Sequence, residues 1–243
     1  MMRTLLSAIS FLTIVPVGRT SVPSGRAAAL FPLVGAILGA AGAGIYLAAG
    51  SVLPSSIAAL LVVTFWSAIS GVLHEDGLAD VADALRAGRS QAKMLAILKD
   101  SRIGTFGAVA IVLSIVARWQ AVEHLSTDRL FEVFIAAQAV PRAAIVALAW
   151  VSRPVGTGLG LAFSSTLNTT AAVAAIVQGI AAAFACGLRP GLVIVLGAYL
   201  AIRFAQAYFY KRIGGVNGDC LGATEQILEI FILILFTCRN CSW

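Results

Sequence analysis

The chain alternates long apolar stretches with short polar segments. Seven stretches are apolar enough, and near enough to the roughly 20 residues that a bilayer requires, to predict membrane-spanning helices. They cover residues 30–50, 53–73, 105–125, 130–150, 170–187, 190–209 and 222–238. The apolar segment from Leu5 to Val17 is shorter. It is compatible with an interfacial helix, a re-entrant segment or a short spanning helix. The pattern predicts an all-α, polytopic membrane bundle with about seven transmembrane helices, in a range of about six to eight.

The composition agrees with this class. Of the 243 residues, 60% are apolar and 12% are charged, whereas an ordinary soluble domain has roughly 25% charged residues. The mean hydropathy of +0.95 also excludes a disordered chain, which combines low hydrophobicity with high charge. We expect one membrane-embedded domain over residues 1–243, with an acidic and basic cytoplasmic segment at 74–104.

The basic residues are divided unevenly between the two sides of the predicted bundle. With the N-terminus in the cytoplasm, eleven of the 17 fall on the cytoplasmic side: Arg3, Arg19, Arg26, Arg86, Arg89, Lys93, Lys99, Arg102, Arg153, Lys211 and Arg212. Three fall on the opposite side, namely Arg129, Arg189 and Arg239. The other three lie inside predicted spans, namely Arg118, Arg142 and Arg203. Because cytoplasmic loops collect lysine and arginine, this division supports that orientation. We expect a multi-pass protein of the cell inner membrane. The net charge of +6 then requires no nucleic-acid partner.

Carboxylates are scarce, and most of them are concentrated. The chain has eleven acidic residues. Eight fall in three short segments on the predicted cytoplasmic side: Glu75, Asp76, Asp80 and Asp83 in the first, Asp100 in the second, and Asp219, Glu225 and Glu229 in the third. We interpret this concentration as a functional site.

The first segment predicts a helix with acidic side chains on one face. Asp76, Asp80 and Asp83 stand at i, i+4 and i+7, so a helix places them on the same side. Their mutual repulsion favours a bound cation, and magnesium commonly bridges carboxylates to substrate phosphates. A solvated acidic face is the alternative. The neighbouring His74 is a candidate metal ligand or proton shuttle, with a capping role as the alternative.

The other two segments combine polar side chains with glycines at the start of a predicted span. In LKDSRIGTFG, Lys99, Ser101 and Arg102 suit phosphate oxygens, although anchoring of the span explains the two cations equally well. In GGVNGDCLGATE, Asn217 and Asp219 open the last span. Carboxylates further into that span, and the three arginines within spans, need partners. These carboxylates and arginines could form ion pairs with one another, or the arginines could bind a phosphorylated substrate, and the sequence leaves both alternatives open.

The three segments resemble the cobalamin synthase family. They read HEDGLADVADAL, KDSRIGTFG and GGVNGDCLGA, and SFLTIVPV, FPLVGAILG, VPRAA and RPVGTGLG also look like the family's motifs in order. The resemblance covers nearly the whole chain. Glu75, Ala84 and Asn217 depart from it, where an apolar residue, glycine and threonine are expected.

The resemblance implies an integral membrane, magnesium-dependent ribazoletransferase. In that reaction a hydroxyl of alpha-ribazole, or of its 5'-phosphate, attacks the cobinamide-side phosphorus of adenosylcobinamide-GDP. The products are GMP and adenosylcobalamin or its 5'-phosphate. The oligomeric state stays open, a homo-oligomer included.

The residues that match the family's segments define the expected site. As magnesium ligands we expect Asp76, Asp80, Asp83, Asp219 and Glu225, with Glu229 beside them. As catalytic residues we expect His74, Glu75, Lys99 and Arg102. As substrate-binding residues we expect Lys99, Ser101, Arg102, Arg142, Asn217 and Asp219.

Two other functions stay open from the sequence. A CDP-alcohol-type phosphotransferase also uses magnesium on an aspartate-rich membrane helix, but its expected arginine and spacing do not align here. A secondary transporter would place charged residues inside the membrane and would show internal repeats with broken helices. No convincing repeat is found in this sequence.

Overall fold

The computed structural model describes residues 2–17, 25–87, 90–100, 102–156 and 159–238. They form eleven α-helices: α1 Met2–Leu12, α2 Phe31–Gly50, α3 Ser55–Ile69, α4 Leu73–Ala87, α5 Gln91–Ile97, α6 Thr105–Glu123, α7 Leu130–Val151, α8 Leu159–Thr166, α9 Thr169–Ala185, α10 Leu188–Ile213 and α11 Gly218–Leu235. Short 3-10 helices, Gly25–Leu30 and Thr127–Arg129, precede α2 and α7. Across these described ranges the only β-type pairing is one isolated bridge between Pro154 and Val216. The predicted all-α class is confirmed.

The predicted count of seven spans is not confirmed. Among the described residues, four helical segments are long and apolar enough to cross a membrane: Gly25–Gly50, Thr105–Glu123, Thr127–Val151 and Leu188–Ile213. A fifth is added if α3 and α4 are counted as one broken span. The difference arises because α3 and α9 have only 15 and 17 residues, and because α11 carries three carboxylates.

The break between α3 and α4 bends the chain by 84°. It passes through Gly71 at φ 62° and Val72 at φ 54°, a left-handed conformation that β-branched residues rarely adopt. The segment after α1 braces the break, since Ile14 N donates to Ile69 O over 2.8 Å. The hydropathy pattern predicts one continuous span over residues 53–73, so this bend was not predicted.

Helix α7 is the centre of the bundle. Nearly all its side chains between Val133 and Ala149 are buried, and Pro141 lies within it. Helix α2 packs directly on its backbone, because a Cβ at Gly35 or Gly39 would lie 2.3 Å from a carbonyl oxygen of α7. Close packing through small residues is the usual way in which helices associate inside a membrane.

The bundle has two chemically different ends. At one end, Trp119 of α6 donates to the backbone at the start of α3, and Arg129 donates to Cys186 O after α9. The other end is formed by five parts of the chain: the C-terminal half of α4, helix α5, the start of α6, the segment after α7 and the segment after α10. We call this second end the acidic end. It also carries six of the described basic residues, namely Lys93, Lys99, Arg102, Arg153, Lys211 and Arg212.

Candidate active site

Helices α4 and α11 pack closely enough to place two of the acidic segments side by side. A Cβ at Gly77 would lie 2.9 Å from Asp219 O, and a Cβ at Gly222 would lie 3.3 Å from His74 O. Glycine at both positions therefore permits the contact. It brings the aspartates of α4 next to the first turn of α11.

A cavity of about 320 Å³ opens beside this contact. Its polar lining consists of His74, Asp76, Lys99, Asn217 and Asp219, which come from three separate segments of the sequence. We call it the acidic cavity. The structure thus brings together five of the predicted site residues at one place.

Three carboxylates form the anionic part of this site. The negative charges of Asp219, Asp76 and Asp83 all act on the half-buried Asp80, which lies beside the acidic cavity without lining it. In the part of the chain that the structure describes, the Asp76 and Asp80 carboxylates accept no hydrogen bond and form no ion pair. Three repelling carboxylates, none of which forms an ion pair among the described residues, suit a hard divalent cation such as magnesium, which takes oxygen ligands.

The predicted set of five magnesium ligands is not assembled. Within the described ranges, no three acidic, histidine or cysteine side chains are gathered so that they could hold a metal ion as they stand. By donor chemistry, Asp76, Asp80 and Asp219 fit magnesium. Asp83 and Glu225 have other partners in the structure, and their role as ligands stays a prediction.

Asp83 is bonded to the backbone at the start of α6. Its Oδ2 accepts the Gly104 N–H over 2.7 Å and its Oδ1 accepts the Gly107 N–H over 2.9 Å. A carboxylate at this position accepts hydrogen bonds from unpaired helix N–H groups and interacts favourably with the positive end of the helix dipole. The geometry assigns Asp83 to joining α4 and α6.

Asn217 organises the start of α11. Its Oδ1 accepts the Cys220 N–H over 3.0 Å as the helix cap, and its Nδ2 donates to Asp219 Oδ2 over 2.7 Å. It therefore orients the Asp219 carboxylate within the acidic cavity.

The basic segment after α5 contributes one cation to the cavity. Lys99 lines it, but the Arg102 side chain is 87% exposed and bonds Asp100, with 2.6 Å between Nη2 and Oδ2. The Arg102 guanidinium holds the pKa of Asp100 below its usual range. Ser101 lies outside the described residues. Of the predicted phosphate-binding residues in this segment, only Lys99 is seen at the cavity.

Behind the cavity, Arg118 joins three helices. Its Nη2 lies 2.9 Å from Glu75 Oε1, and its Nη1 lies 3.5 Å from Glu229 Oε1. Ser67 donates to the same Glu75 oxygen over 2.6 Å. All three charged side chains are buried, so a carboxylate of this group left unpaired would be costly. Glu75, predicted as catalytic, is thus engaged in an ion pair.

A second buried arginine is paired in the same way. Arg142 Nη1 lies 3.0 Å from Glu225 Oε1 and donates to Gln138 O and Oε1. His74 Nε2 lies 3.8 Å from the same Glu225 oxygen. Arg142 does not line the acidic cavity, and its role in substrate binding stays a prediction.

The sequence did not reveal the apolar wall of the cavity. Phe11, Phe31 and Phe163 stack with ring centroids 5.3 to 5.7 Å apart and border the cavity. Gly156 and Gly160 border it as well. These five residues come from α1, from the start of α2, and from residues 156–163, and no periodicity in the sequence connects them.

Comparison with known proteins places the chain in a family. The chain matches the cobalamin-5-phosphate synthase family over residues 4–237. It is 36% identical to an adenosylcobinamide-GDP ribazoletransferase of Bradyrhizobium diazoefficiens, over 94% of this chain and 90% of that protein. Proteins of the same name from Ralstonia pickettii and Geotalea daltonii are 33% and 34% identical. The first covers 94% of this chain and 93% of its own length, and the second covers 96% of each.

No solved structure matches the chain. The family match nevertheless includes all three acidic segments, and the relatives align with nearly their full length. The chain belongs to the cobalamin-5-phosphate synthase family.

Proposed function

We propose that this chain is an adenosylcobinamide-GDP ribazoletransferase, which joins adenosylcobinamide-GDP to alpha-ribazole or its 5'-phosphate. The observation that carries the proposal is the family match over residues 4–237, together with relatives of that name that align over almost the whole chain. The acidic cavity supports it, since a diphosphate substrate needs cations and donors at a confined site.

The reaction exchanges one phosphorus–oxygen bond for another. A ribazole hydroxyl oxygen forms a bond to the phosphorus on the cobinamide side. The bond from that phosphorus to the GMP oxygen breaks, and GMP leaves with the bonding electrons. The hydroxyl proton passes to a base or to water. The protein's contribution is chiefly to position these groups and to offset negative charge.

Asp76, Asp80 and Asp219 would hold magnesium in this proposal. When bound, the ion would neutralise charge on the diphosphate and on the departing GMP. Asn217 keeps the Asp219 carboxylate oriented, and Lys99 supplies the protein's own cation for the phosphates. Of the two predicted catalytic residues His74 and Glu75, His74 lines the cavity. Glu75 is instead paired with Arg118.

We place the acidic end at the cytoplasmic face of the inner membrane. This rests on the basic residues at that end and on the rule that cytoplasmic loops collect them. The proposed topology retains seven spans, with α9 and α11 as short spans and α3 with α4 as one broken span.

The activity is tested with the purified protein in neutral detergent. We expect GMP and a cobalamin product from adenosylcobinamide-GDP and alpha-ribazole, in equal amounts and only with magnesium. Asp76→Asn should lower the rate by about 100-fold or more, as removal of a charge-positioning group does. Asp128→Asn, at an exposed carboxylate near the opposite end, serves as the matched control.

Failure of a folded preparation to form either product would refute the proposed reaction. Equal rates for Asp76→Asn and Asp128→Asn would refute the assignment of the site while leaving the reaction intact.

A further inference from the structure

A second cavity, of about 360 Å³, lies on the outer side of the bundle between α7, α9 and α10. We call it the lateral groove. Small side chains of α7 and α10 form its floor, among them Ala143, Ala147 and Ala198. Its rim includes Ile180 and Tyr199, which are 40% and 57% exposed. Since α7 and α10 both qualify as spans, the groove faces the hydrocarbon region of the bilayer.

The length of the groove matches one leaflet. Along α7 it extends from Val140 to Val151, which is about 16 Å at the rise of an α-helix. Half of a hydrocarbon core of about 30 Å is about 15 Å. An apolar channel of this length fits one acyl chain of one leaflet.

A cation lies at one end of the groove. Arg203 lines it and is exposed, although it lies within the apolar helix α10. Within the described part of the chain, its guanidinium donates only to Gln206 Oε1, over 3.1 Å, and forms no ion pair. Because a charged side chain in the membrane needs partners, the remaining donors call for an anion.

The cation lies at the level of the end of α7. Gln206, its hydrogen-bond partner, donates to Val151 O over 2.7 Å, and Val151 is the last residue of α7. Trp150 lines the same end and is 41% exposed. Tryptophan and arginine together are typical of the boundary between hydrocarbon and headgroups. The groove therefore runs from the headgroup level at the acidic end into the membrane.

We propose that the lateral groove binds a glycerophospholipid with an anionic headgroup. One acyl chain occupies the channel between α7, α9 and α10, and the lipid phosphate accepts hydrogen bonds from Arg203. A zwitterionic lipid offers the same chain but a neutral headgroup. The site is thus selective by charge at its mouth and by shape along its length, and it is separate from the acidic cavity.

The test compares phosphatidylglycerol with phosphatidylcholine of identical acyl chains, added to the full chain in neutral detergent. We expect native mass spectrometry to show one phosphatidylglycerol retained per chain and a higher unfolding temperature than with phosphatidylcholine. Arg203→Gln should weaken phosphatidylglycerol binding by about tenfold, the effect of losing a charge-assisted hydrogen bond. Arg203→Lys should retain most of the preference.

Two further variants separate charge from shape. Arg189→Gln removes a cation from the other end of α10 and should leave the lipid preference unchanged. Ala147→Leu fills the floor of the groove and should reduce retention of both lipids. Equal stabilisation by the two lipids, or full phosphatidylglycerol binding by Arg203→Gln, would overturn the proposal. So would a dimer by light scattering that Ala147→Leu dissociates, because a second copy would then occupy the groove.

Discussion

At the level of single residues, the chain separates structural charges from charges that face the acidic cavity. Arg118, Arg142 and their carboxylate partners are buried and paired, whereas Asp76 and Lys99 face the cavity. The sequence predicted that intramembrane arginines need partners. It could not tell which carboxylates pair with them, because the partners lie on other helices.

Lys99 should matter more than Arg102. Replacing Lys99 with alanine removes a cation from the cavity, so we expect the KM for adenosylcobinamide-GDP to rise about tenfold, the effect of one charge-assisted contact. Steady-state GMP release measures this. Lys93→Ala, an exposed lysine on α5, is the control. Arg102→Ala should have a smaller effect, and a larger effect for Arg102 than for Lys99 would contradict the geometry.

Asp83 should act on stability rather than on magnesium use. Asp83→Ala leaves the Gly104 and Gly107 N–H groups without their acceptor, at a cost of about 1–3 kcal/mol. We expect a lower unfolding temperature in detergent, with a smaller decrease for Asp83→Asn, which keeps one carbonyl acceptor. The magnesium concentration for half-maximal activity should not change. A raised magnesium requirement in folded Asp83→Asn would restore the predicted role of Asp83 as a ligand.

At the level of helices, the site depends on the contact between α4 and α11. The sequence predicted that Asp76, Asp80 and Asp83 share a face of one helix, but this helix uses the face for two purposes. Asp76 and Asp80 contribute to the acidic site, while Asp83 bonds α6. The bend at Gly71 and Val72 also escaped prediction, because residues 53–73 read as one continuous apolar stretch.

Gly77→Ala tests this contact. The added Cβ would lie 2.9 Å from Asp219 O, so α4 and α11 must separate slightly and the Asp76 and Asp219 side chains shift apart. Since a displacement of about 1 Å can cost about 100-fold in rate, we expect kcat to fall by about 10-fold or more. Gly44→Ala in α2, where an added Cβ would meet nothing within 4 Å, is the matched control. Equal kcat for both variants would show that the contact does not set the site.

At the level of the whole molecule, the sequence predicted the class better than the count of spans. Four long helices are unambiguous by length and composition. The remaining segments are short, bent or acidic, and hydropathy alone cannot classify such helices. The acidic cavity is lined by residues of α1, α4, α5, α8 and α11, among others. Their arrangement depends on tertiary packing that no local sequence pattern encodes.

The two ends of the bundle should label from opposite sides of the membrane. Single cysteines at Lys93 and Arg153 should react with an impermeant thiol reagent in inside-out vesicles, and a cysteine at Asp128 in right-side-out vesicles. The background variant lacks the natural cysteines, including the buried Cys186 and Cys220. Labelling of Lys93→Cys and Asp128→Cys from the same side would contradict the proposed topology.

The central claim is that Asp76 of α4 and Asp219 of α11 serve one magnesium-dependent site for ribazole transfer. The most direct measurement is the magnesium dependence of GMP release by the wild-type protein, Asp76→Asn, Asp219→Asn and the Asp128→Asn control. The account predicts that both site variants need about tenfold more magnesium or lose activity, while the control matches the wild type. Normal magnesium dependence and rate in either site variant would contradict it.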